Sequence, residues 1–127
     1  MPAQILIVDD SPFMRNSLRS CIEQNTDWHI CGEAENGEIA IEKAKNLHPD
    51  LIILDMAMPI MNGLEAARRI SFFAPTITMV LFTMHDARML WKEARAAGIK
   101  DVLSKSENNY EQLLLSMRTL LENAGVH

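Results

Sequence analysis

At 127 residues, with 48% hydrophobic and 23% charged side chains, the chain has the size and composition of one soluble domain with a real core. Its formal net charge of -5 argues against direct binding to nucleic acid or to an anionic membrane surface, both of which favour a basic patch. No apolar stretch approaches bilayer-spanning length, and Met1-Pro2-Ala3-Gln4 leads into an apolar run without a basic n-region, so a cytoplasmic protein is expected.

Gln4–Val8 reads as a strand. Pro12 to about Glu23 reads as a helix, with Ser11 as N-cap, Pro12 at the first helical position and an apolar stripe of Met14, Leu18, Cys21 and Ile22. His29–Ala34 is a weaker strand, nearer a sheet edge. Gly37–Leu47 is a helix with Ile41, Ala44 and Leu47 on one face, ended by His48-Pro49-Asp50. Leu51–Leu54 is the most apolar strand. After the Pro59–Gly63 turn, Asn62 caps a helix through about Phe72, which Pro75 stops. Thr78–Phe82 is the fourth strand. Asp86 caps a helix to Ala97, and Gly98 sits where a C-terminal cap belongs. Val102–Ser104 falls in the fifth strand. Asn109–Glu122 is the last helix, with Tyr110, Leu113, Leu114, Met117, Leu120 and Leu121 as its stripe. Five strands alternating with five helices predict an α/β fold, a doubly wound five-stranded parallel sheet covered on both faces. Cys21 and Cys31 have no metal or disulfide spacing and read as small buried hydrophobes. His29, His48 and His127 are scattered, with no metal spacing either.

The polar residues that follow the strands carry the chemistry. Asp9-Asp10 follows Ile5–Val8, Asp55 follows Leu51–Leu54, Thr83 follows Met79–Phe82, and Lys105 follows Asp101–Ser104. Open α/β sheets bind ligands outside the carboxyl ends of their strands. Singly, Asp10 reads equally as a helix cap, Thr83 as a turn residue and Lys105 as a solvated lysine. Jointly they form a set suited to a divalent cation and a phosphoryl group. Two carboxylates about 4 Å apart repel by about 4 kcal/mol at an effective dielectric of about 20, so the cluster calls for a cation. Mg²⁺ suits a site with few protein ligands, because it keeps waters and shares phosphate oxygens. Asp55, after the most central run, is the candidate nucleophile, since a carboxylate can attack phosphorus to give an acyl phosphate. Asp9 and Asp10 would hold the metal, Lys105 would neutralise phosphoryl charge, and Thr83 would receive the new group.

With these positions in hand the chain resembles the receiver domain of two-component response regulators over almost its full length. The carrying segments are Ile5–Ser11, Pro49–Pro59, Met61–Ala66, Leu81–Asp86, and Ala97-Gly98 through Lys105. Leu81-Phe82-Thr83-Met84-His85-Asp86 and Ser104-Lys105-Ser106 look most like receivers of the NarL type. The resemblance implies a flavodoxin-like sheet of order 2-1-3-4-5 and phosphoryl transfer from a phosphohistidine on a sensor histidine kinase to Asp55. It implies direct Mg²⁺ ligation by Asp10, Asp55 and the Ala57 carbonyl, with Asp9 acting through a metal-bound water. Thr83 and Lys105 would contact the phosphoryl group, and phosphorylation would switch the conformation. The receiver would catalyse only its own phosphorylation and dephosphorylation. NarL-type receivers precede a helix-turn-helix DNA-binding domain, so the chain reads as a stand-alone receiver or as the N-terminal part of a longer regulator. Dimerisation through an exposed helix face is left open.

Two departures stand out. Many receivers carry Tyr or Phe three residues before the lysine, where this chain has Val102, expected to fill core volume. The positions that tune phosphoryl lifetime in the family are Ala57 and His85 here. Phe13, at the rim of the site, reads either as a kinase contact or as core. Two rival functions compete. An aspartyl-nucleophile phosphatase would want a second Asp two residues after Asp55, where Ala57 stands. A phosphorylation-independent module usually lacks part of the acidic pair, the acceptor or the lysine, all of which this chain has.

Overall fold

The computed structural model describes residues 1–107 and 109–126, so His127 lies outside it. In chain order the elements are β1 (Gln4–Val8), α1 (Pro12–Asn25), β2 (His29–Ala34), α2 (Gly37–Leu47), β3 (Leu51–Leu54), α3 (Gly63–Phe73), β4 (Thr78–Thr83), α4 (Ala87–Ala96), β5 (Asp101–Ser104) and α5 (Tyr110–Asn123). A 3₁₀ turn spans Lys105–Glu107. All strand pairs are parallel, in the order β2-β1-β3-β4-β5.

Successive residues of a strand face opposite sides of the sheet, and here both sides are apolar. Ile5, Ile7, Leu51, Ile53, Val80 and Phe82 pack under α1 and α5, against Leu18, Ile22, Leu113 and Met117. Leu6, Val8, Ile52, Leu54, Met79 and Leu81 pack under α2, α3 and α4, against Ala44, Ala67, Ile70 and Ala94. Each such fully buried branched side chain contributes about 1.5–3 kcal/mol, which anchors the strand ends that carry the site. Among the described residues no helix is long and apolar enough to cross a membrane.

The predicted N-caps form: Ser11, Asn62 and Asp86 each accept a backbone N–H from the first turn of the helix they precede. Asn36, which the sequence reading did not name, caps α2 in the same way. Gly98 adopts φ +92°, and a Cβ there would lie 2.1 Å from Ser71 Oγ, so glycine alone fits.

Several expectations need correction. α1 runs to Asn25, because the Thr26 N–H and hydroxyl both reach the Ile22 carbonyl and complete the last turn. β4 includes Thr83, which pairs with Ser104. The buried positions of α2 are Gly37, Ala40 and Ala44, while Leu47 is 39% exposed. Small residues let α2 approach the sheet, and the Leu47 tip lies over Gly32, 2.9 Å from where a Cβ would be. Cys21 and Cys31 are only half-buried. Phe13 is 78% exposed, which removes its reading as core.

Candidate functional site

Strand register sets where each functional group lies. Val8 of β1 is opposite Leu54 of β3, and the Asp55 N–H donates to the Val8 carbonyl at 2.9 Å. On the other side the Asp9 N–H donates to the Ala34 carbonyl of β2 at 3.0 Å. β1 lies between β2 and β3, so the chain winds away from it in both directions. Open sheets leave a crevice at that point. There Asp9, Asp10 and Asp55 each present a carboxylate oxygen, all within 4.8 Å of one another. Asp9 and Asp55 are buried and Asp10 is exposed, so the cluster opens to water on one side.

β5 brings in the cation. Lys105 Nζ donates to Asp9 Oδ2 at 2.6 Å and lies 3.3 Å from Asp55 Oδ1, with its side chain almost fully buried. Two backbone donors add to this. Asp9 Oδ1 accepts the Ser11 N–H and Asp55 Oδ1 accepts the Met56 N–H, each at 2.9 Å. Burial, and then the neighbouring Asp9 charge, push the Asp55 carboxyl above the ordinary aspartate range, against the pull of Lys105 and the Met56 N–H. Asp9 and Asp55 therefore share one ammonium beside the third carboxylate of Asp10, and Asp55 is held partly against its charge. Hard oxygen donors, uncompensated negative charge and an opening to water fit Mg²⁺, with Asp9, Asp10 and Asp55 as the residues that would hold it.

Thr83 closes the group from β4. It is fully buried, and its hydroxyl accepts the His85 N–H at 3.1 Å, with His85 Nδ1 at 3.3 Å. The hydroxyl is thus engaged within its own loop. His85 itself is exposed. Ala57 is exposed on the loop after Asp55. That loop is held by Gly63, whose N–H donates to the Met56 carbonyl at 2.9 Å and whose missing Cβ would fall 2.1 Å from the Asp55 carbonyl oxygen. Val102 is buried in the cluster with Ala94, Ala97 and Ile99, filling core volume as expected.

Arg15 and Glu33 also reach this site, and the sequence reading missed them in that role. Arg15 Nη1 donates to the Asp9 carbonyl at 2.7 Å while its Nε donates to Glu33 Oε1 at 2.9 Å. The available signal was Arg15 on the first turns of α1 beside a carboxylate on a strand, but it needs β2 to neighbour β1.

Residues 5–118 match the protein family described as response regulator receiver domain. The chain is 41% identical over 107 residues to a protein-glutamate methylesterase/protein-glutamine glutaminase of Methanosarcina acetivorans, covering 84% of this chain and 31% of that protein. It is 39% identical over 105 residues to the chemotaxis protein CheY of Halobacterium salinarum, covering 83% of this chain and 86% of that one. Among solved structures it resembles the CheX-CheY-BeF₃-Mg²⁺ complex of Borrelia burgdorferi, with a TM-score of 0.89, 26% identity, and coverage of 95% of this chain and 90% of that chain. The chain spans about a third of the methylesterase it matches.

Proposed function

The chain belongs to the response regulator receiver family, and on that premise we propose that Asp55 takes a phosphoryl group from a phosphohistidine on a sensor kinase in the cytoplasm. A receiver acts as its own phosphorylation site in two-component signalling rather than as a general enzyme. The observation that carries the reading here is the gathering of Asp9, Asp10 and Asp55 oxygens within 4.8 Å of one another, with the buried Lys105 ammonium against Asp9 and Asp55.

In the proposed step an Asp55 carboxylate oxygen attacks phosphorus. The P–N bond of the donor breaks, and the imidazole nitrogen leaves with the electron pair and regains a proton from solvent. Lys105, already 3.3 Å from Asp55 Oδ1, favours the ionised form of the acceptor and faces the incoming charge. Mg²⁺, when bound, supplies further positive charge to the phosphoryl oxygens. Asp10, Asp55 and the Ala57 carbonyl are the proposed direct ligands, with Asp9 acting through water. Thr83 then leaves its contact with His85 for the phosphoryl oxygens, and the β4–α4 segment follows. α4 fully buries only Ala94, against five buried residues on α3, so it is the covering helix that costs least to move. Phe13, exposed beside the site, is the proposed kinase contact.

Within the family we assign the NarL type, on Leu81–Asp86 and Ser104-Lys105-Ser106. On that assignment residues 1–127 form one receiver unit, either a stand-alone receiver or the N-terminal part of a regulator with a helix-turn-helix output domain; a methylesterase domain as its output would contradict it.

The discriminating experiment offers the protein two phosphoryl donors with Mg²⁺, phosphoramidate and an aryl phosphate ester. Uptake of one phosphoryl group per chain from the N–P donor is expected. Sustained hydrolysis of the ester, many turnovers per chain, would instead mark a phosphatase.

A further inference from the structure

Three elements meet behind the acidic pair through one guanidinium. Arg15, on α1, donates to the Asp9 carbonyl at 2.7 Å and to Glu33 at 2.9 Å, and its side chain is 17% exposed. Glu33 is fixed in turn. Its second oxygen accepts Arg19 Nε and Nη2 at 2.9 and 2.6 Å, and its backbone carbonyl accepts the Lys43 ammonium. Glu33 lies on β2 opposite Ile7 of β1, so its carboxylate is placed by the sheet and not by a loop. Burial pulls the Glu33 pKa upward, but the bonds from Arg19 and Arg15 outweigh it and hold the group below the ordinary glutamate range. It stays ionised at neutral pH.

The Asp9 carbonyl belongs to the same rigid peptide plane as the Asp10 N–H. Fixing that oxygen fixes the plane from which the Asp10 Cα, and then its exposed carboxylate, departs. The Asp9 N–H is already bonded to Ala34, so with Arg15 in place the backbone of Asp9 is held at both polar atoms. Arg15 is therefore not free to serve as a docking charge, as its place on the exposed rim of α1 would otherwise invite.

We propose that Arg15, held by Glu33, is a positioning residue that fixes the Asp9–Asp10 peptide and so sets the geometry in which Asp10 meets the metal. The inference rests on the Mg²⁺ reading of the site. It differs from a bulk charge effect in sign. Arg15 is a cation near an anionic cluster, so its removal should tighten cation binding if charge alone matters. Positioning predicts the opposite.

The test is calorimetric titration of Mg²⁺ into the unphosphorylated full chain and into Arg15→Met, Arg15→Lys and Arg19→Met variants, each checked for folding by circular dichroism. Loss of a group that orients a metal ligand typically weakens binding 10–100-fold. Arg15→Met should raise the Mg²⁺ dissociation constant about tenfold. Arg15→Lys, which keeps the charge but replaces the rigid planar fork with a point donor on a flexible stem, should fall between the parent and Arg15→Met, and it carries the comparison if Arg15→Met does not fold. Arg19→Met, which removes a like charge without touching Asp9, should stay within about twofold of the parent. Unchanged or tighter binding in Arg15→Met, or an equal loss in Arg19→Met, overturns the proposal. Absence of Mg²⁺ binding by the unsubstituted chain would instead refute the reading of the site itself, and the proposal with it.

Discussion

Replacing Lys105 with Met removes the only ammonium bonded to the carboxylate cluster among the described residues and leaves a side chain of similar length. Asp9 and Asp55 then face one another with carboxylate oxygens no more than 4.8 Å apart. At an effective dielectric of about 20, two unit charges at that distance repel by about 3 kcal/mol. Removing one partner of a buried ion pair typically costs about 3–5 kcal/mol, which gives the same scale. The metal-free variant should therefore be less stable by about 3 kcal/mol at pH 7. The pH dependence has a definite sign. The Asp55 carboxyl is already raised above its ordinary value, and losing Lys105 raises it further. Between the unfolded and folded pKa values the folded chain binds more protons than the unfolded one, so stability falls as pH rises through that window. The deficit of Lys105→Met should thus shrink in mild acid, as Asp55 takes up a proton. It should shrink again at pH 7 with saturating Mg²⁺, which screens the same repulsion. Urea unfolding followed by circular dichroism, at neutral and mildly acidic pH, with and without Mg²⁺, measures all three. A deficit that is the same in every condition would make Lys105 a packing residue and refute the electrostatic account.

Three further outcomes follow from the same geometry. Asp55→Asn removes a charge that folding disfavours, so the metal-free variant should exceed the parent in stability at pH 7 and lose that advantage below the ordinary aspartate pKa of about 3.9, as urea midpoints across pH will reveal. Gly63→Ala places a Cβ 2.1 Å from the Asp55 carbonyl oxygen, and it should lower stability by about 3 kcal/mol and slow phosphoryl uptake; a parental melting temperature would contradict the close approach. Ile60 holds φ +70° while 76% exposed, a left-handed conformation that costs a β-branched residue about 1–2 kcal/mol. Ile60→Asn should therefore stabilise by about 1 kcal/mol, and a loss of stability would show that the side chain is held by contacts.

How much was legible in the sequence depended on whether the deciding interaction was local. Strands such as Leu51–Leu54 are continuous apolar runs, and caps such as Ser11 and Asn62 bond residues three positions on, so elements and their order could be read directly. The gathering of Asp9, Asp55, Thr83 and Lys105 followed from one topological rule about strand ends. Edges that depend on packing were less legible. Leu47 looked like part of the buried face of α2, but Gly32 on the neighbouring strand lets it rest over the sheet edge while alanines make the close contact. Phe13 could be core or rim until α1 was docked. Thr83 reads as following the strand, although its pairing with Ser104 puts it inside β4. The Arg15–Glu33 bond lies furthest from view, since it joins residues 18 apart whose meeting requires β2 beside β1 and α1 laid across both.

The central claim is that Asp55 is a Mg²⁺-dependent phosphoacceptor. Intact mass spectrometry after incubation with a small acyl phosphate tests it most directly, with the parent chain and Asp55→Asn measured with and without Mg²⁺. The account predicts a single phosphoryl adduct on the parent that requires Mg²⁺ and is absent from Asp55→Asn. An adduct that persists in Asp55→Asn would contradict it, as would a parent chain that neither gains the adduct nor binds a stable beryllofluoride mimic in the presence of Mg²⁺.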